Sequence, residues 1–548
     1  MVLTLHTVIR LDLSTLSLPT GAGVLLQSHP LLRAAGDGGT HVEEHNEIHY
    51  DTPSLQLYRH QIALSLLRRG EQWIQRCGDV SGPETKWVEI PVTEQQLELK
   101  PLRKIFVLPV LSWEEIRSLA PAFTVHCREQ RWTLNIPGDL SLLLREERGY
   151  LKLGVTRQTF HELVFEYQSG SLARWYQTVL LLACHLFDQE KGGVPEKGGP
   201  GLLAATPVMR GFAWLDPALL LPVLPPPQEG AAASSGEEGT GEEGGSRVST
   251  DMTTRQLFGQ LAAELLQRMQ DNHALVLFGG KQAKLEGVRL FYQAVSRLQT
   301  LLLLHKTMFP KNIFAELERE TAWLAKELHL VLECQTLLRE TLEPLLEQFA
   351  THSGLEELLL KTKNGLVLAI KRLEKALTSF RYARLLLGMA NWATSNQWEF
   401  LADPEQRDLL EVPAGQFATD CLQLYHAQLR KQGRNWSEMD LAARCAMHVD
   451  VDLLVNTVDL FADLFANKRM KQATARNAFQ EVLRRLQSRL QLLLHLHTGN
   501  RFLGRWVSTR EGSGQPLIQE WQEARVRRQQ LDATREWEQF SNKLSFWI

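Results

Sequence analysis

The rhythm of apolar and polar positions changes twice along this chain. Up to about residue 190, short apolar segments alternate with turns: HTVIRLDL, NEIHYDT, QIALSLL, QWIQRC, KWVEIPV, FTVHC, RWTLNI and HELVFEY. Segments of that length with a period near two predict β-strands. Their alternation is imperfect, as expected of a barrel wall with both faces occupied. Two stretches of helical spacing interrupt them, Trp113–Leu119 and Ser171–Phe187. From Met252 onward apolar residues recur every three or four positions, as in FGQLAAELLQRM, AVSRLQTLLLL and AFQEVLRRLQSRLQLLL, and prolines are sparse, at 310, 344, 404, 413 and 516. This half predicts about eight to eleven packed helices. Its two parts are loosely alike, which fits a duplicated four-helix unit.

Between the two regimes runs VLPPPQEGAAASSGEEGTGEEGGSRVS, a Pro, Gly, Ser and Glu stretch with nothing to form a core. The expected division is a sheet domain over 1–222, a disordered linker over 223–251, a helical domain over 252–510 and a C-terminal helical tail over 511–548. The expected fold class is α+β, an N-terminal antiparallel β-barrel followed by an all-α helical-bundle domain.

Composition narrows the function classes. A chain of 548 residues is long enough for two cores, and a net charge of −3 argues against a generic nucleic-acid binder. No DNA partner is expected. Cysteines at 77, 127, 184, 334, 421 and 445 form no CxxC, which argues against a zinc ribbon or disulfide scaffold and suits a reducing cytoplasm. The first residues, MVLTLHTVIRLDLSTLSL, lack the basic start and small-residue cleavage site of a signal peptide. Apolar runs such as Val179–Phe187 end well short of the ~20 residues that span a bilayer, so no membrane partner is expected.

Local motifs then bear on chemistry. IHYDTPSLQLYRHQIALSLLRRGEQWIQR (48–76) and RWTLNIPGDLSLLLREERGYLKLGVTRQTFHELVFEYQSG (131–170), with TPVMRGFAWL (206–215), resemble the CYTH superfamily of triphosphate-tunnel enzymes. SFRYARLLLGMANWATSNQW and VDLLVNTVDLFADLF resemble CHAD domains, which commonly follow CYTH domains in bacterial inorganic triphosphatases. The resemblance implies a closed barrel in which basic side chains grip a triphosphate and carboxylates hold Mg²⁺ or Mn²⁺. Such a ligand needs charge-assisted donors, and hard cations need oxygen ligands.

Carried over residue by residue, the resemblance puts phosphate-binding roles on Arg10, Arg69, Arg76, Arg131 and Arg210, and metal-binding roles on Glu147, Glu162 and Glu166. It assigns no catalytic residue. The motifs are also eroded. The opening Glu-x-Glu-x-Lys is His6-Thr-Val8-Ile-Arg10, two strand arginines fall on Ser65 and Leu67, a lysine falls on Gly78, an arginine on Glu129, a lysine on Pro207, and the middle of three glutamates is Val164. On one strand Glu162 and Glu166 stand ~13 Å apart, too far to chelate one metal alone. The basic CHAD motif falls on Arg289, Tyr292, Ser296, Arg297 and Gln299 in the first half, and on Cys445, His448, Asp452, Leu453 and Val455 in the second. Residues 252–548 hold 38 Lys and Arg against 33 Asp and Glu, a weak balance for a polyanion surface.

Other constellations carry less. His41, His45 and His49 recur every four residues, but NEIHYDT has strand character and no further ligands accompany them. Gly279-Gly280-Lys281 lacks P-loop spacing, and neither GxSxG nor HExxH occurs. Two functions remain. One is a catalytically impaired CYTH–CHAD protein of the inorganic triphosphatase class, binding tripolyphosphate or polyphosphate, or a protein partner through the helical domain. The other is an active triphosphatase using Mg²⁺ or Mn²⁺. Convergence of Arg10, Arg69, Arg76 and Arg131 with two or more carboxylates favours the second; an interior filled by Val8, Leu67 and Val164 favours the first.

Overall fold

The computed structural model describes residues 7–14, 16, 21–35, 40–80, 86–98, 111–189, 201–203, 205–216, 248–349, 353–395, 402–465, 470–507 and 515–547. Most of the expected linker, up to residue 247, lies outside the described residues.

Among the described residues nine strands form the N-terminal half: β1 (Val8–Asp12), β2 (Thr40–Asp51), β3 (Ile62–Arg69), β4 (Gln72–Asp79), β5 (Lys86–Val92), β6 (Ala120–Ile136), β7 (Leu140–Leu153), β8 (Thr156–Ser169) and β9 (Gly201–Leu203). FTVHC and RWTLNI are one strand, β6, because Arg128, Glu129 and Gln130 between them supply no turn residue. Two-residue loops after β3 and β7 begin with Gly70 and Gly154, whose φ of +61° and +57° suits hairpins that keep the strand twist.

The sheet is not the closed barrel that the sequence suggests. Its order is β5-β4-β3-β2-β6-β7-β8-β1-β9, with antiparallel pairing throughout, and among the described residues β5 and β9 are free edges. β9 is only three residues long and pairs with β1 alone. The chain then turns into a short helix, Pro207–Leu215, which packs on the sheet instead of extending it. Phe212 from that helix stacks on Tyr58 at 4.1 Å and meets Phe123 edge-on at 4.9 Å. Gly211 lets it come close, since a Cβ there would lie 2.2 Å from the Phe123 ring.

Alternation assigns the two sheet faces. Ile9, Leu11, Leu142, Leu144, Leu163 and Phe165 are buried in one apolar core with Trp175, Val179 and Leu182 of the helix Leu172–Gln189. That helix carries the core onward. Phe187 stacks on Phe380 at 4.5 Å, at the start of the helix Phe380–Thr394 in the second half. β9 sits so close that a Cβ on Gly201 would lie 2.2 Å from the Thr378 carbonyl oxygen.

The second half is helical, as its periodicity predicts. Its long elements are α1 (Thr254–Phe278), α2 (Lys281–Leu304), α3 (Lys311–Leu337), α4 (Ser353–Leu377), α5 (Phe380–Thr394), α6 (Ala414–Gln432), α7 (His448–Leu460), α8 (Met470–Val507) and α9 (Gln515–Ser541). Capping boxes start α1 at Thr253/Gln256 and the helix Pro404–Leu410 at Asp403/Gln406. α3 runs into a π turn, Leu338–Leu342, and then Glu343–Gln348. Pro344 explains it: proline has no N–H to give the Glu340 carbonyl, and its ring would clash in a regular α turn. Arg525 of α9 donates to that carbonyl at 2.9 Å. Trp436 and Trp537 stack at 5.0 Å and fix α9 further. Among the described residues no helix is long and apolar enough to cross a membrane, and no disulfide joins any of the cysteines.

Candidate functional site: a polar face on the sheet

The strand register sorts the second face of the sheet into rows. Arg10, Val164, Arg145, Arg131 and His41 are successive cross-strand partners, and beside them run Asp12, Glu162, Glu147, Glu129 and Glu43. A cationic row thus lies against an acidic row. Further along, Phe123, His49, Ser65, Arg76 and Glu89 form another row. Period-two alternation therefore places seven of the eight expected site residues on this face: Arg10, Arg69, Arg76, Arg131, Glu147, Glu162 and Glu166. The eighth, Arg210, reaches it from the short helix Pro207–Leu215 and binds Glu162.

The charges answer one another. Arg10 donates from Nη1 to Glu147 Oε2 and to Glu162 Oε2, each at 2.6 Å, in a buried setting. Arg145 lies 3.8 Å from both Glu147 and Glu166. Arg131 pairs with Glu129. Arg69 holds Glu43 at 2.5 Å and Glu89 at 3.6 Å. Arg76 holds Glu47 at 3.3 Å and Glu89 at 3.4 Å, with its guanidinium 4.2 Å above the Trp87 ring. Ser65, standing where the resemblance expects arginine, donates to Glu47 at 2.6 Å. Leu67 and Val164, also replacing charged residues, are buried.

Protonation follows from these contacts. Burial works against the charge of Arg10, but Glu147 and Glu162 outweigh it and hold the guanidinium more firmly protonated than usual. Burial pushes the Glu147 carboxyl up, and Arg10 and Arg145 bring it below its ordinary value. Glu47 behaves alike, with His49 and Arg76 overcoming burial. His49, stacked on Phe123 at 4.7 Å, is pushed down to about 4, mainly by burial.

The arrangement does not fit a divalent metal. Glu147 and Glu162 already accept from Arg10, Glu166 faces Arg145, and among the described residues no group of three or more His, Cys, Asp or Glu is placed to hold an ion. His41, His45 and His49 lie along β2, where alternate side chains share a face but do not converge. A triphosphate entering this face would have to displace carboxylates from every arginine named above. Sequence reasoning missed Arg145, Glu43, Glu47 and Glu89. Arg145 was within reach, since it precedes Glu147 by two residues on the same strand face.

The helical half shows similar neutralisation. Arg297 of α2 binds Asp459 of α7 at 2.6 Å, and Arg484 of α8 shares that carboxylate at 2.8 Å. Arg289 is engaged by Glu286. Asp452 accepts from Gln487 at 2.8 Å and Gln491 at 3.3 Å, and burial pushes its carboxyl up. Ser296 lies 3.1 Å from the Asn456 amide, and His448 holds the Cys445 carbonyl at 2.8 Å. Tyr292 lies beside His329, ring centroids 6.0 Å apart.

Comparison with known proteins adds the family of this half. The crystal structure of the CHAD domain from the plant Ricinus communis is similar at 20% identity and a TM-score of 0.44, covering 55% of this chain and 95% of that one. PptA from Streptomyces chartreusis is similar at 13% identity and a TM-score of 0.35, covering 52% and 99%. HpAC1 from Hippeastrum, described as having a dominant triphosphatase activity, is similar at 15% identity and a TM-score of 0.23, covering 34% and 91%. No curated protein matches the chain. Residues 260–497 match the profile of the CHAD domain. The chain therefore contains a CHAD domain, which occupies most of its helical half.

Proposed function

We propose that this protein acts by binding rather than by hydrolysis, as a CYTH–CHAD protein whose sheet has lost triphosphatase chemistry. The observation that carries this reading is Arg10, which donates at 2.6 Å to both Glu147 and Glu162. In a working hydrolase the cation would face phosphate and the carboxylates a metal; here they neutralise one another. The bound partner is a phosphate-rich ligand or a protein recognised by the helical half.

The test is phosphate release from inorganic tripolyphosphate with Mg²⁺ or Mn²⁺, beside a Glu162→Ala/Glu166→Ala control. Release no greater than the control is expected. Metal-dependent turnover that the control abolishes overturns the reading. One observation favours this second outcome: Arg10, Arg69, Arg76 and Arg131 share a face with several carboxylates, so a ligand that breaks the ion pairs would meet four cations.

A further inference from the structure

α4 (Ser353–Leu377) packs on the bundle through Leu355, Leu358, Leu366, Ala369, Leu373 and Leu377, all buried. Its opposite side is unusual. Leu360, Val367 and Leu368 are 60%, 52% and 67% exposed, and at ~100° per residue they lie on one solvent face. Other strongly exposed leucines and valines of the long helices, such as Leu424, Val449 and Leu531, stand singly. The same face of α4 carries Lys363, Lys371 and Lys375, exposed and without an ion-pair partner among the described residues. Lys361 and Arg372 beside them are already held by Glu357 and Glu327.

We propose that this face of α4 is a docking surface for an acidic amphipathic helix of a protein partner. Charge complementarity selects the occupant. Three unanswered lysines call for carboxylates, while Leu360, Val367 and Leu368 call for an apolar stripe at helical spacing. Leu360 to Lys375 spans ~22 Å, the length of about four helical turns. A lipid surface fits less well. On the helical wheel Lys371 falls between Val367 and Leu368, so its ammonium would enter hydrocarbon with them, whereas a partner carboxylate can meet it there. This surface is separate from the sheet face and does not depend on the reading of that face.

The experiment uses the full chain and three fluorescent probes of one length: a helical peptide with leucines on one face and glutamates elsewhere, its scramble with leucines dispersed, and a lysine-for-glutamate version. Sedimentation with phosphatidylglycerol vesicles runs alongside. Saturable binding of the acidic amphipathic peptide is expected, at least tenfold tighter than either other peptide. Lys363→Glu/Lys371→Glu/Lys375→Glu and Leu360→Asn/Val367→Asn/Leu368→Asn should each weaken it at least tenfold; all six residues are exposed, and unchanged circular dichroism would confirm folding. The proposal is overturned by absence of saturable binding, by equal binding of the scramble, or by variants that bind as the parent does. Vesicle binding that the variants abolish, without peptide binding, would assign the face to lipid instead.

Discussion

Replacing Arg10 with methionine tests the ion-pair network at its centre. The substitution keeps an unbranched apolar stem and removes the guanidinium charge that Glu147 and Glu162 share. Glu162 keeps Arg210, but among the described residues Glu147 keeps only Arg145 as an ion-pair partner, at 3.8 Å. Removing one partner of a buried pair generally costs about 3–5 kcal/mol, and the residual partners favour the lower end. A loss of ~3 kcal/mol corresponds to roughly 150-fold more frequent local opening. The sign with pH is also determined. In the parent, Glu147 sits below its ordinary value, so its contribution is present at neutral pH and declines as pH falls through that depressed value. In the variant the buried, poorly compensated carboxyl shifts above its ordinary value, so stability is regained as pH drops from 7 towards 4.5. The gap should therefore narrow on acidification. Hydrogen exchange of β1 and β8 amides, corrected for intrinsic rates at pH 7 and pH 5, reads this locally. Arg10→Met/Glu147→Gln should recover part of the loss. A change under tenfold at pH 7, or the same gap at pH 5, would refute the argument.

Other consequences are simpler. Burial pushes Glu146 up, but His161, the Gly23 N–H, Arg148 and the Ala22 N–H bring it to about 2. Its support, about 2 kcal/mol after allowance for screening, should persist above pH 4.5 and fade as pH drops towards 2; Glu146→Gln should flatten the acid limb of a thermal-melting profile. His273 is buried beside Tyr382, has no hydrogen bond at either ring nitrogen among the described residues, and is held down to about 3 by burial. His273→Leu should leave the parent's Tm unchanged or raised at pH 7 and raise it more at pH 5, where the unfolded imidazole is charged; a large drop at pH 7 would contradict this. Gly201→Val should loosen the sheet from the helical half, because its Cβ would meet the Thr378 carbonyl; new proteolytic cleavage between residues 190 and 250 without loss of helical circular dichroism is the expected sign.

Much of the candidate site was nameable through the resemblance of short motifs, each lying on a single strand, and strand alternation, a local property, then gave those residues a shared face. Arg10, Glu147 and Glu162 were nameable one strand at a time, and the register then put them together. What could not be read was who answers whom. Glu47 meets Arg76 through the pairing of β2 with β3 and of β3 with β4, a relation spread over 29 residues. Closure failed as an expectation for a similar reason: whether the two end strands of a sheet meet depends on twist accumulated over all nine, and no segment encodes that alone. The helical half was easier, since each 3.6-residue stripe announces its own buried side.

Pro344 and its π turn have a consequence for the chain's tolerance of insertions and deletions. A π turn holds one residue more than an α turn, so everything after it is rotated by ~100° from where an unbroken helix would carry it. Leu345 faces the core, fully buried, under that rotated phase. Deleting one residue between Leu338 and Leu342 would leave an ordinary α turn with Leu345 still in phase, whereas one more inserted residue, with no second wide turn to absorb it, would swing Leu345 by ~100° away from the core. Insertions here should therefore be selected against far more strongly than point changes at the exposed Arg339, because a shift in phase travels along the helix and a changed side chain does not.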